Sequence, residues 1–166
     1  MSKKNKVEVI ARGVCIKGGK ILLCYGRKSG VAYLPGGHID FGESGKMALE
    51  REITEELGVK SNAGVLIGCC EHGFLQSGEP HAEINLIYQL EIPDMEPTEQ
   101  PQAVESWIGF MWQPLDKMAE VHFEPVALSH EIEDWLADGG GHLVTGNLDC
   151  EQSNIQYSTK NIQPNN

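Results

Sequence analysis

The sequence predicts a mixed α/β domain in which a sheet of several strands is held between helices. Three observations predict it. Short runs rich in β-branched residues, each bounded by glycine or proline, occur both before and after a helix-like stretch. That stretch, Ser44 to Gly58, contains no proline and places Leu49, Ile53 and Leu57 four residues apart, which gives one apolar stripe. A second stripe follows near the end, before Gly139-Gly140-Gly141. Strands, a helix, more strands and a final helix suit a mixed sheet with helical layers. At 166 residues one core is enough, so residues 1–142 read as a single domain and 143–166 as a poorly ordered polar tail.

In chain order, Val7 to Ile16 reads as a strand. Gly18-Gly19 is a tight turn, and Ile21 to Tyr25 returns as the second arm of a hairpin. Arg27, Lys28, Ser29 and Gly30 form a loop, and Val31 to Leu34 is a short strand ending at a Pro35-Gly36-Gly37 turn. Ser44 serves as N-cap of the first helix and Gly58 as its stop. Ala63 to Glu71 reads as a buried strand, and His72 to Pro80, with two glycines and a proline, as a loop. His81 to Ile92 alternates through Ile84, Leu86, Tyr88 and Leu90, as a half-buried strand does. Pro93 to Pro101 is an acidic, proline-rich connection. Glu105 to Trp112 is a further strand, and Pro114 to Met118 begins a short helix. Pro125 to Asp138 makes the second helix, with Val126, Leu128, Ile132, Trp135 and Leu136 as its buried stripe.

The first helix carries the chemistry. Glu52 and Glu56 are one turn apart, and Glu55 lies farther round the same flank. Like charges at this spacing repel by about a few tenths of a kcal/mol per pair. An acidic run is usually a solvated face. Here, however, the glycine turn before the helix can aim backbone carbonyls inward, and loop plus carboxylates make an oxygen-rich pocket. Mg2+ favours oxygen ligands and keeps waters for a phosphate to displace.

Gly37 to Val59 resembles the Nudix box: glycine, five residues, Glu, seven residues, Arg-Glu, an aliphatic, any residue, Glu-Glu, any residue, Gly, an aliphatic. Gly37, Glu43, Arg51, Glu52, Ile53, Glu55, Glu56, Gly58 and Val59 fill every fixed place. So many positions in one stretch make the signal specific. Weaker likeness extends over most of residues 7–137.

The resemblance implies an α/β/α sandwich and a pyrophosphohydrolase that acts on a nucleoside diphosphate linked to another moiety. It implies Mg2+ as cofactor, with Mn2+ able to substitute. Glu52 and Glu56 would be the main metal ligands, Glu55 would assist or bind a second ion, and the Gly36 carbonyl would complete the set. Arg51 and Glu43 would pair with each other or with box glutamates and hold the helix against the loop. The general base would be a carboxylate beyond the box: Glu105 first, since it precedes the apolar run to Trp112, and Glu83 second. His38, in the loop before the helix, could touch a phosphate, and Tyr33, Phe74, Tyr88 and Trp107 are candidates to stack on a base. Strand aromatics are mostly core and a lone loop histidine is usually not functional, so neither these nor His72 and His81 are assigned a role.

The formal net charge of −11 argues against nucleic-acid binding by bulk electrostatics, and RNA 5′-end processing is disfavoured for the same reason. It is compatible with a phosphate substrate when metal ions reverse the local sign. Cys15, Cys24, Cys69, Cys70 and Cys150 contain no C-x-x-C pair and are odd in number, which suggests neither a zinc site nor a disulfide framework. MSKKNK at the N-terminus has no apolar core, and no run of about 18 apolar residues exists, so a reduced cytoplasmic protein without membrane attachment is expected. Homodimers are common among similar proteins. The alternative from another class is a catalytically silent ligand-sensing or scaffold module, which would commonly have lost box glutamates. The attached moiety is not encoded in the box. Nucleotide sugars, ADP-ribose, dinucleoside polyphosphates and oxidised nucleoside triphosphates all remain open, with specificity expected in the loops Gly73 to Pro80 and Pro93 to Val104.

Overall fold

The structure is a computed structural model and describes residues 6–137, 140 and 142–147. Its first strand, β1 (Val7–Val14), is separated from β2 (Ile16–Lys17) by the single residue Cys15. Only β2 takes part in the expected hairpin: it pairs with β3 (Lys20–Gly26) across the Gly18-Gly19 turn. The first strand belongs to the other sheet because it is buried on both faces. Ala11 faces one core and Val14 the other, and both edges of β1 are already bonded. No edge is left for β3.

After β3 come β4 (Ala32–Tyr33) and β5 (Gly36–His38). The expected Pro-Gly-Gly turn is therefore a short strand, antiparallel to β1 with Arg12 opposite Gly36. Helix α1 (Gly45–Leu57) follows. The Ser44 side chain accepts from the Met47 N–H, and Gly58 closes the helix at φ 70°. Both caps stand where the sequence puts them.

The long hairpin of β6 (Asn62–Gln76) and β7 (Glu79–Glu91) replaces the loop expected at His72 to Pro80. Ser77 and Gly78, both at positive φ, make a two-residue turn. Pro80 is tolerated because the pair Leu75–Pro80 is one step from the hydrogen-bonded pair at the turn, and its missing N–H faces the other edge. There β1 begins pairing only at Ala82.

The expected strand from Glu105 starts later, as β8 (Ile108–Pro114), since Glu105, Ser106 and Trp107 are exposed and turn into it. A 3-10 helix (Leu115–Glu120) stands at the expected helix start, and α2 (Val126–Ala137) follows. Leu128 and Ile132 bury themselves and Trp135 packs against them, but Val126 and Leu136 are exposed, which narrows the expected stripe. Leu143–Gly146 forms β9, parallel to β6. The open edge of β6 thus takes up residues expected in the tail, and Asn147 continues the docking with two bonds to the backbone of Gly73. The remainder of the expected tail lies outside the described residues, as do Asp138 and Cys150.

Two sheets lie between the helices. One is mixed, in the order β5-β1-β7-β6-β9; the other is antiparallel, with β3 carrying β2 and β4 on one edge and β8 on the other. Leu22 and Cys24 of β3 face the α1 core with Leu49, Ile53 and Phe110. Ile21 and Leu23 face the α2 core with Ile87, Leu128 and Ile132. The architecture is the α/β/α sandwich. Cys15, Cys24 and Cys70 are buried free thiols within it, and Cys69 is half-buried. No helix among the described residues is long and apolar enough to cross a membrane.

Candidate active site

The buried face of α1 consists of Ala48, Leu49, Ile53, Leu57 and one carboxylate, Glu56. Docking the apolar stripe therefore takes a charge out of water. Glu56 is 6% exposed, and its Oε2 has no hydrogen-bond partner. Burial pushes its pKa up to about 7, and the Glu52 charge adds to the shift. Arg12 opposes it, and Glu105 and Glu55 push the same way more weakly.

Glu52 lies flat against Gly37 of β5. A Cβ at that position would overlap the Glu52 carboxyl group, so glycine is needed for the strand to pass this close. Arg51 ties the surrounding loop down. Its Nε and Nη2 donate to the two oxygens of Glu43 at 3.1 Å each, and Nη2 also donates to the His38 carbonyl at 3.0 Å. Its Nη1 donates to Glu52 Oε1 at 2.9 Å and Glu55 Oε2 at 3.2 Å. All the guanidinium hydrogens are thereby used. Arg51 holds the Glu43 carboxyl below its usual range, and Glu43 in turn raises the Arg51 pKa. Glu43 Oε2 accepts from the Asp40 N–H and closes the loop on itself.

One guanidinium holds both Glu52 and Glu55, and no three His, Cys, Asp or Glu side chains among the described residues stand ready as a cation cage. The donor set nonetheless fits a hard divalent ion. It has a buried carboxylate oxygen without a partner, two more carboxylates on the same helix, and a carbonyl-bearing strand against Glu52. A cation would satisfy the carboxylate oxygen of Glu56 that its surroundings leave without a partner.

A residue that sequence reasoning missed completes the site. Arg12 on β1 donates from Nη1 to the carbonyls of Leu34 at 3.1 Å and Gly36 at 3.0 Å, and from Nε to Asn85 Oδ1 at 3.2 Å. Its guanidinium lies 5.1 Å from the centre of the Tyr33 ring. The signal was present in the sequence: an arginine inside an apolar strand demands partners for a buried charge. Asn85, 2% exposed, passes the network on to Cys70 O and Glu83 Oε2, each 3.4 Å away.

The two candidate bases sit differently. Glu83 is on β7; burial works to raise its pKa, but the nearby His72 ring, the charge of Arg12 and the hydrogen bond from Asn85 carry it below the ordinary value. The His72 ring stands between Glu83 and Glu124, at 3.9 and 3.8 Å. Glu105 is in the turn before β8, where it accepts from Trp107 Nε1 at 3.2 Å. The N–H of the preceding Val104 donates to the Glu56 carbonyl at 2.7 Å, so this turn is bonded to the end of α1. Glu105 is close enough for its charge to act on Glu56.

The other aromatic and histidine residues are taken up elsewhere. His72, Phe74 and His81 stack in a column, with ring centres 4.9 and 5.3 Å apart. His38 Nε2 points to Glu8 at 3.5 Å. Arg27 Nε donates to the Ile108 carbonyl at 2.8 Å. An open recess of about 510 Å³ beside β6 and the end of α2, lined by Leu66, Ile67, Trp135 and His142, contains none of the carboxylates.

The sequence profile of the NUDIX domain matches residues 6–135. Among solved structures, the MutT protein from Methanosarcina mazei Go1 is 19% identical, with a TM-score of 0.65 over 83% of this chain and 99% of that one. The ORF135 protein of E. coli is 23% identical, with a TM-score of 0.60 over 81% and 94%. A UDP-X diphosphatase is 17% identical, with a TM-score of 0.62 over 87% and 69%. At these identities the neighbours show the fold alone; the domain match covers most of the sequence, includes the complete box, and ends within α2. The chain belongs to the Nudix family of hydrolases that act on phosphoric anhydrides.

Proposed function

We propose that the protein is a Mg2+-dependent hydrolase that splits the pyrophosphate link of a nucleoside diphosphate joined to another group. Nudix hydrolases generally use divalent metals and act on nucleotide-type small molecules. The observation that carries the reading here is Glu56, a buried carboxylate with an unpartnered oxygen beside Glu52. Glu52 and Glu56 would hold the ion, with Glu55 assisting and the Gly36 carbonyl as a further ligand; Mn2+ would serve in its place. Bound there, the ion supplies charge neutralisation at the phosphates and a water that loses its proton more readily.

The chain does the rest. Arg51 and Glu43 fix the loop so that β5 and α1 keep their spacing. Arg12 holds the Gly36 carbonyl in line and biases Glu56 toward its charged, ligating form. Glu105, bonded through Val104 to the end of α1, takes the proton of the attacking water. Glu83 is second in line because His72, Asn85 and Arg12 already occupy it. The buried free thiols support a reducing, cytoplasmic setting.

The test is a panel of ADP-ribose, UDP-glucose, a dinucleoside polyphosphate and an oxidised nucleoside triphosphate with Mg2+, products being identified for each. Glu52→Gln and Glu56→Gln should each lower kcat by on the order of a hundredfold or more with the fold retained. Glu105→Gln should cost on the order of a hundredfold through lost proton transfer. Unchanged turnover in both helix variants would remove the mechanism.

A further inference from the structure

Between β7 and β8 the chain from Ile92 to Trp107 has no regular structure and contains Pro93, Pro97 and Pro101. Prolines donate no backbone hydrogen bond, so other segments must hold this strap in place. At its near end the ammonium of Lys17, the last residue of β2, donates to three carbonyls: Ile92 at 2.7 Å, Met95 at 2.8 Å and Pro93 at 3.4 Å. Three carbonyls match the three hydrogens of an ammonium group. Lys20 adds a bond to the Pro97 carbonyl at 3.0 Å, and the Pro97 ring lies over the Gly18 turn. Gln100 Nε2 donates to the Phe110 carbonyl at 2.6 Å. Met95 and Ala103 pack against the α1 core. At the far end Val104 N–H reaches the Glu56 carbonyl, and the next residue is Glu105.

We propose that Lys17 is a positioning residue for Glu105: by gathering the carbonyls of Ile92, Pro93 and Met95 it fixes the strap whose far end sets Glu105 against α1. The inference rests on the reading of Glu105 as the base. A tie at the near end shortens the length of chain free to wander, and with it the ordering entropy that the Lys20, Gln100 and Val104 bonds farther along must offset. Proton transfer needs Glu105 within hydrogen-bond reach of the water, and an error of about 1 Å can cost up to a hundredfold.

Lys17→Met keeps the length and apolar stem of the side chain and removes its donors. In the full chain, amide exchange at Val104 should quicken at least tenfold while the β3–β8 ladder keeps its protection. With Mg2+ and whichever of ADP-ribose or UDP-glucose the wild type hydrolyses, kcat should fall about tenfold and KM should change less than twofold. The Lys17→Met/Glu105→Gln double variant should be no slower than Glu105→Gln alone, because a displaced group that is already disabled has nothing further to lose. Unaltered exchange at Val104, or a double variant slower by the full Lys17→Met factor, overturns the proposal. Full activity in Glu105→Gln sinks the base assignment instead, and exchange at Val104 still decides whether Lys17 holds the strap.

Discussion

Burial favours the protonated form of Glu56 in the metal-free protein, whereas the proposed role as metal ligand requires the ionised form. Its folded pKa of about 7 stands above the ordinary value of 4.5, so between those two pH values the native state binds more protons than the unfolded one. Stability from this group is therefore greatest below pH 4.5 and is lost as pH rises through 7. The loss amounts to on the order of 3 kcal/mol at most. Glu56→Gln removes it, so the metal-free variant should match wild type in urea near pH 4.5 and exceed it at pH 8, while being inactive. A wild type at least as stable as the variant at pH 8 would contradict the burial of an unpaired charge. Glu56 was legible in the sequence as an acidic residue of a motif. Its burial was the part not drawn: position 56, three after Ile53 and next to Leu57, borders the apolar stripe in any helix, but a carboxylate there reads as solvated until the packing against it is known.

At the scale of elements, α1 was readable because every cue is local: a serine cap, apolar residues four apart, a glycine stop. Ser44→Ala should cost about 1 kcal/mol in a chemical-denaturation experiment through the lost bond to the Met47 N–H. It should also leave the Arg51–Glu43 clasp and turnover intact, because neither depends on that hydroxyl. The β6–β7 hairpin was misread where the cues compete. Gly73, Gly78 and Pro80 signal a loop, yet cross-strand pairs from His72–Glu83 to Gln76–Glu79 hold the strands together. The break at Cys15 was illegible for another reason. Nothing near it says that β1 will find β5 and β7, residues far along the chain, and bury both faces.

Those distant pairings let the whole molecule act on the site through Arg12. It lies in the strand that the two neighbours enclose, and it bonds to β5, to the residue before Pro35 and to Asn85 of β7 at once. Replacing it with methionine leaves three acceptors without their donor, which should cost about 2–4 kcal/mol. Arg12 also opposes the rise in the Glu56 pKa, and this electrostatic part can be separated from the structural one. In a double-mutant cycle of Arg12→Met with Glu56→Gln, the structural cost appears in both backgrounds and cancels. What survives is the attraction between guanidinium and carboxylate, present only when Glu56 is ionised. The coupling should be about 1 kcal/mol or more at pH 8 and close to zero near pH 5, measured without metal. A coupling equal at both pH values would mean that Arg12 serves the sheet alone. The expected pH dependence would mean that the strand order of the fold sets the charge state of the carboxylate proposed to hold the metal.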